Sequence, residues 1–268
     1  MIMSGKCGSG NIRILQFEEI ASTNKFMHDM MADGCDVAGT VVVAGHQTAG
    51  RGMGGNRWES EPGENLLFSI ALDVCFLKAE EQFKISQAVA VAILNVIDKN
   101  ISEAVTSAKP SHQPQTVTSI KWPNDIYVGS RKLAGMLIQN TISGMMMQTT
   151  IIGVGLNVNQ LKFSKDIPNP VSLKMLAGTD FDLESLLDEL VVSIMNAVDG
   201  LRTESGKDGV DAAYRKSLFR CGEWAEYEYE GEVNTMIING YDKYGRLCLS
   251  DKNGREIVCD IKEIRFIL

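Results

Sequence analysis

The chain has 268 residues, 44% of them hydrophobic and 22% charged, and carries a formal net charge of -8. A chain of this size buries roughly 70–75% of the surface that its unfolded form exposes, enough for one or two domains with a substantial core. These values exclude disordered, collagen-like and coiled-coil classes. The acidic balance argues against a broad electrostatic grip on nucleic acid, and no apolar run reaches the roughly 18 residues that a membrane span needs. Residues 1–11 are glycine-rich and lack the apolar centre of a signal peptide, so a flexible leader on a cytoplasmic protein is expected. Cys7, Cys35, Cys75, Cys221, Cys248 and Cys259 are scattered without a CxxC pair, and His28, His46 and His112 lie far apart. Reduced cysteines acting as small apolar residues are expected, and no His/Cys metal centre.

From residue 12 onward strand and helix signals alternate. Residues 12–17 alternate apolar and polar, as a strand does. Ser22 can cap a helix over 23–32 that Gly34 ends. The β-branched run 40–44 reads as a buried strand. A long loop over 46–64 follows, holding Gly50, Gly52, Gly54, Gly55, Pro62 and Gly63; long loops in compact domains are usually functional or mobile. Residues 66–74 read as another strand. Val89, Ala92, Ile93, Val96 and Ile97 have the spacing of one apolar helix face, predicting a helix over 79–99. The polar stretch 107–116 reads as a surface excursion. Strands are predicted over 117–121, 133–141 and 148–157. Helices are predicted from Leu183 to Ile194, with Asp182 as cap, and over 209–218. After Cys221-Gly222, alternating Ala225, Tyr227 and Tyr229 and then Ile257, Cys259 and Ile261 indicate a small all-β module, with a turn at 241–245.

Three segments carry chemistry. Gly50-Arg51-Gly52-Met53-Gly54-Gly55 matches GxGxxG, and Asp73 lies about 20 residues on. A dinucleotide fingerprint must sit between a strand and a helix; here Pro62-Gly63 and a strand follow, so that reading is set aside. The glycines and Arg51 suit either a structural turn or a loop that closes N–H groups and a cation over an anion. In Lys121-Trp122-Pro123-Asn124-Asp125, Pro123 must end or bulge the strand, and the turn displays Asn124 and Asp125. Lys132 then opens an apolar strand, a poor place for simple solvation. Gly153-Val154-Gly155-Leu156-Asn157 ends a β-rich run. Glycines there permit close approach of a ligand or another backbone, and the same residues also suit a strand-ending turn. Neither GxxxxGK[ST] nor GxSxG is present.

Together these blocks resemble the biotin–protein ligase family. The resemblance rests on the loop 50–58 ending at Trp58, on 121–125 with Arg131-Lys132-Leu133-Ala134-Gly135, on 153–157, and on Ser22-Thr23-Asn24 at the first helix. It implies an α+β fold: a mixed-sheet catalytic domain of the class II synthetase/biotin ligase type over 12–221, packed with helices, and a small SH3-like β-barrel over 222–268. It further implies that the carboxylate of biotin attacks the α-phosphate of ATP, with Mg²⁺ accompanying the nucleotide. A lysine on the biotin carboxyl carrier domain of a carboxylase then attacks the resulting biotinyl-5′-AMP. By residue, the match assigns Ser22, Thr23, Asn24 and Gln47 to the ureido end of biotin. It assigns Gly50, Arg51, Gly52 and Met53 to the closing loop and Lys132 to the carboxylate and α-phosphate. Asn124, Asn157 and Trp58 fall to the nucleotide side, Asp125 to orienter or base, and 159–172 to the loop over adenine. Met53, Gly54 and Asn56 stand where many family members carry arginines, and Phe163 is the sole aromatic residue of 159–172. Neither DNA nor membrane is an implied partner, a homodimer stays open, and the chain resembles the short form without a DNA-binding head. A lipoate–protein ligase or octanoyltransferase on the same fold, or a non-enzymatic biotin sensor, are the competing readings.

Overall fold

The structure is a computed structural model that describes residues 2–7, 10–107 and 117–268. Its elements are β1 (Ile2–Cys7), β2 (Gly10–Ile20), α1 (Thr23–Ala32), β3 (Thr40–Gln47), β4 (Leu66–Asp73), α2 (Gln82–Ser107), β5 (Thr118–Lys121), β6 (Asp125–Val128), β7 (Arg131–Ser143) and β8 (Met146–Leu156). There follow α3 (Leu173–Ala177), α4 (Leu183–Gly200), α5 (Glu204–Lys216), β9 (Trp224–Tyr229), β10 (Glu232–Tyr241), β11 (Leu247–Asp251), β12 (Glu256–Cys259) and β13 (Ile264–Phe266).

An eight-stranded mixed sheet in the order β1-β2-β3-β4-β8-β7-β6-β5 forms the body. Only β2 and β3 run parallel among its neighbours. Both faces are covered, which explains the continuous apolar run of β3. Val41 and Val43 enter the large core that includes Ile85, Val89, Ile93, Leu190 and Ile194 from α2 and α4. Val42 points the other way, to Met27, Ala71 and Ile151 under α1. Side-chain caps start the helices as side-chain oxygens meet orphan N–H groups. Ser22 accepts from Lys25 N at 3.4 Å, Asp182 from Ser185 N at 2.8 Å, and Thr203 from Gly206 N at 3.1 Å.

Several expectations are corrected. Ile2–Cys7 is an edge strand, paired with β2 from Gly10 to Leu15, where a flexible leader over 1–11 is expected. A 3₁₀ turn at Ala79–Glu81 precedes α2, which runs on to Ser107. Thr203 starts α5 five residues earlier than the apolar pattern suggests. The four-residue β6 and five-residue α3 are too short for periodicity to reveal. The stretch 108–116, with His112, lies outside the described residues.

The C-terminal strands form an antiparallel sheet ordered β12-β11-β10-β9-β13. This sheet fits the expected SH3-like unit, although among the described residues its end strands β12 and β13 do not pair with each other to close a barrel. This sheet docks on α2 and α5. Phe83, Tyr214 and Tyr241 meet edge to face at 5.3–5.6 Å between ring centroids, and Trp122 Nε1 donates to Gly245 O at 2.8 Å. Among the described residues, no helix is long and apolar enough to cross a membrane, and no three His, Cys, Asp or Glu side chains converge as a metal site would need.

Candidate active site

The site lies on the α1 face of the sheet and is built on two rows of residues across it. In one row Ser69 of β4 pairs with Gly153 of β8, and Gly153 with Leu137 of β7. In the next, Leu67, Gly155, Gly135 and Asp125 follow one another. Side chains two apart on a strand share a face, so Gly153, Gly155 and Gly135 make a floor without side chains. Two side chains of this chain fill the space above it. A Cβ at Gly153 would overlap the Asn24 carboxamide, and one at Gly155 would overlap the Trp58 ring. One at Gly135 would lie 2.9 Å from Trp58 Cζ3.

At the inner end, the start of α1 supplies Ser22, Thr23 and Asn24, all nearly fully buried. Asn24 Nδ2 donates to Leu137 O and to Gln139 Oε1, each at 3.1 Å. Both amide hydrogens are thereby spent. Asn24 Oδ1 accepts from Ser69 Oγ at 2.5 Å and keeps one lone pair. Gln47 Oε1 accepts from Thr23 N at 2.8 Å, with the Thr23 hydroxyl 3.2 Å away. Its Nε2 hydrogens are unspent among the described residues. This end therefore holds a free lone pair on Asn24 and free amide hydrogens on Gln47.

The glycine loop forms the outer wall. Its chain doubles back, with Gly52 N donating to Asn56 O at 2.7 Å and Trp58 N to Gly50 O at 3.1 Å. Gly54 and Gly55 turn it at φ +70° and +89°, a region open to glycine at little cost. A Cβ at Gly50 would stand 2.5 Å from Trp58 O, so only glycine lets the strands of the loop approach. Arg51 is exposed on this loop, and Arg57 donates to Thr48 O at 3.1 Å. Beside Met53, Gly54 and Asn56, Lys262 lays its side chain across Gly54 from the turn between β12 and β13.

Lys132 stands between two cavities. Its Nζ lies 2.8 Å from Asp125 Oδ1 and 5.5 Å from the centroid of the Trp58 ring. The backbone around it is stapled to the loop before α3, with Lys132 N donating to Asn169 O at 2.7 Å and Val171 N to Lys132 O at 3.0 Å. The first cavity is bounded by Thr23, Asn24, Gln47, Arg51 and the floor glycines; Ser22, Gly52, Met53 and Asn124 line it too. The second holds Tyr127, Asn157, Phe163 and Pro170. Asn56, Arg57, Trp58, Asp125 and Lys132 line both.

Thus nearly all of the residues singled out in the sequence converge. Asn124 lines the first cavity, its Nδ2 donating to Met136 O at 2.5 Å, whereas Asn157 lines the second while donating to Val171 O at 3.0 Å. Gly50 lines neither cavity and instead packs its backbone against Trp58 within the loop. Lys121 and Trp122 line neither cavity. Lys121 Nζ sits 4.5 Å over the Phe266 ring, and burial pulls its pKa down. Trp58 Nε1 is buried without a partner among the described residues. Ser69 and Gln139 escape the sequence reading. A lone hydroxyl in the apolar run of β4 is the one signal that could have exposed Ser69.

A family model described as the biotin/lipoate A/B protein ligase family matches residues 17–157. The biotin–[acetyl-CoA-carboxylase] ligase of Mycobacterium tuberculosis is 28% identical over 258 residues, spanning 96% of this chain and 90% of that protein. The bifunctional ligase/repressor BirA of Bacillus subtilis is 31% identical over 186 residues, 67% of this chain and 51% of its own length. The chain thus spans about half of that relative. Among solved structures, the Aquifex aeolicus biotin protein ligase in complex with biotin and ATP has a TM-score of 0.73 at 22% identity, covering 95% of this chain and 99% of that one. The Leishmania major biotin protein ligase in complex with biotinyl-5-AMP has a TM-score of 0.58 at 22% identity, covering 92% and 98%. At these identities the structures speak for the fold.

Proposed function

The chain belongs to the biotin/lipoate A/B protein ligase family, and from that premise we propose that it is a biotin–protein ligase, which activates biotin with ATP and passes it to a lysine of a carboxylase carrier domain. The family embraces biotin and lipoyl substrates, so the choice rests on the inner end of the first cavity. There Asn24 Oδ1 offers an acceptor and Gln47 Nε2 a donor. A cyclic urea carries both an N–H and a C=O to satisfy them. A lipoyl or octanoyl chain carries neither and would leave the buried Asn24 acceptor and the half-buried Gln47 donor unpaired, a loss that hydrogen-bonding sites use to reject such analogues. The names of the relatives support the same substrate.

The chemistry follows from the groups in place. A carboxylate is a poor acyl donor to an amine because its leaving group is poor; forming the mixed anhydride with AMP supplies a good one. In the first step a biotin carboxylate oxygen bonds to the α-phosphorus of ATP and pyrophosphate leaves. In the second, the carrier lysine amine attacks the anhydride carbonyl, loses a proton, and AMP leaves. We assign Lys132 to the negative charge shared by carboxylate and α-phosphate, since it borders both cavities. Preorganised cations are effective where charge develops in a site that excludes water.

Arg51, with Arg57 beside it, adds charge from the loop. Asp125 holds Lys132 in place and is available to the incoming amine. Tyr127, Phe163 and Asn157 of the second cavity are assigned to the nucleotide, with Asn124 behind the ligand. Mg²⁺ would enter with the triphosphate, and the carboxylates available to it around the second cavity are Glu59, Asp125 and Asp166. The assignment of 12–221 as the catalytic unit beside a small β-unit, and a cytoplasmic location, belong to the same proposal.

Thermal unfolding with biotin, lipoate or octanoate tests the substrate, because a ligand that binds only the folded chain raises its melting temperature. Biotin alone should do so. Biotin-dependent pyrophosphate release and labelling of an apo carrier domain should accompany it. Stabilisation by lipoate instead would assign the chain to the lipoyl branch. Biotin binding without pyrophosphate release would make it a sensor.

A further inference from the structure

The acceptor at the inner end is useful only if the Asn24 carboxamide cannot flip, since a flipped amide would show the ligand N–H groups where it needs an oxygen. The amide is held from two sides by residues that none of the four blocks contains. On the buried side, Ser69 is fully enclosed on β4. Its Oγ lies 2.5 Å from Asn24 Oδ1 and 2.7 Å from Thr23 Oγ1. A serine has one hydroxyl hydrogen. A carboxamide oxygen donates nothing, so the shorter contact requires that hydrogen, while the Thr23 hydroxyl, which also lies 3.2 Å from Gln47 Oε1, holds Ser69 from its other side. On the open side, Gln139 Oε1 accepts from Asn24 Nδ2 at 3.1 Å and lies 3.0 Å from His28 Nε2.

We propose that Ser69 and Gln139 are positioning residues that set specificity, locking the Asn24 carboxamide in one orientation, with its hydrogens spent on Leu137 and Gln139 and a lone pair left on its oxygen, so that the site selects a ligand with an N–H at that end. The proposal rests on the biotin reading of the same cavity. Neither side chain is assigned to the ligand carboxylate or the nucleotide, so their loss should weaken biotin and leave the chemistry intact.

Calorimetric titration and steady-state kinetics on the full chain test this. Ser69→Ala should raise the biotin Kd roughly tenfold or more, the loss expected for a buried oriented hydrogen bond. Gln139→Leu, at the open rim, should raise it about threefold to fivefold, and Gln139→Glu, which keeps the acceptor, should return it to within about twofold of wild type. The kcat at saturating biotin and the KM for ATP should stay within about twofold throughout, as for lost ground-state binding. Equal biotin affinity in Ser69→Ala and wild type overturns the proposal. So does a Gln139→Glu variant as weak as Gln139→Leu, or a parallel loss of kcat and ATP affinity. Should Ser69→Ala fail to fold, the Gln139 pair decides alone. A wild-type chain that does not bind biotin overturns the underlying reading, and is seen before any substitution is made.

Discussion

Lys132 Nζ and Asp125 Oδ1 are 2.8 Å apart across a hairpin, with Gly135 beneath them and the Trp58 ring above. The pair is only partly exposed, at 30% and 15% of the side-chain surface. The lysine is therefore neutralised and held in position before any ligand arrives, and the negative charge of a bound carboxylate and phosphate can draw it off without a search of rotamers.

Lys132→Ala should reduce biotin-dependent pyrophosphate release by roughly 10²–10³-fold, the usual cost of removing a group aimed at developing charge. Asp125→Asn keeps the lysine charge but loosens its position, and a smaller loss, on the order of tenfold, is expected. Pyrophosphate release by Lys132→Ala near the wild-type rate would remove this lysine from the mechanism.

The two floor glycines should fail differently. Gly153→Ala pushes on the Asn24 carboxamide and Gly155→Ala on the rigid Trp58 ring, and forcing volume into a packed site costs about 1–3 kcal/mol. Gly153→Ala should weaken biotin while sparing the KM for ATP. Gly155→Ala should harm both, because Trp58 borders both cavities. Separate titrations of the two substrates measure this, and identical profiles for the two variants would contradict the floor as described.

The difference between those glycines also marks how far the sequence could be read. Ser22 before an apolar face and Asp182 before Leu183 announce their helices because a cap and its helix are neighbours in the chain. Gly153 and Gly155 announce that something approaches the strand closely. What approaches is Asn24 and Trp58, roughly a hundred residues away, and no local pattern encodes that distance. Ser69 and Gln139 are hidden for the same reason: their partners come from another element. The open edge of the C-terminal sheet is equally silent, since β12 and β13 have four and three residues and closure depends on where they end. The residues named from the resemblance do meet at one place, but which cavity each one lines had to come from the fold.

Gly245 tests the seam between the two sheets. It has φ +85°, a Cβ there would overlap the Phe83 ring, and its carbonyl accepts from Trp122 Nε1 at 2.8 Å. Gly245→Ala combines a disfavoured backbone with a clash against a packed aromatic group, so a loss of about 2–4 kcal/mol is expected in urea unfolding. A change below about 0.5 kcal/mol, typical of a surface substitution, would show that the seam carries little of the stability.

The same seam should be sensitive to acid through Asp211. Burial alone would raise its pKa. Hydrogen bonds from Gln87, Arg215 and Tyr241 and the charge of Lys84 outweigh burial, holding the carboxyl at about 2 against an ordinary value near 3.8. The contacts are short: 3.0 Å from Gln87 Nε2, 2.8 Å from Arg215 Nε and 3.0 Å from the Tyr241 hydroxyl. A folded pKa below the unfolded one means that the unfolded chain takes up protons first as pH falls. The stabilisation is therefore complete well above the ordinary value and drains away as pH falls through the folded one. Asp211→Asn removes it at neutral pH, at a cost of about 1–2 kcal/mol once solvent screening of this partly exposed group is allowed for. In urea unfolding series, the gap between wild type and Asp211→Asn should be constant from about pH 7 to 5 and shrink by roughly half by pH 3. A gap that is unchanged at that pH would mean that the network holds the sheet through geometry alone, with the charge of Asp211 contributing nothing.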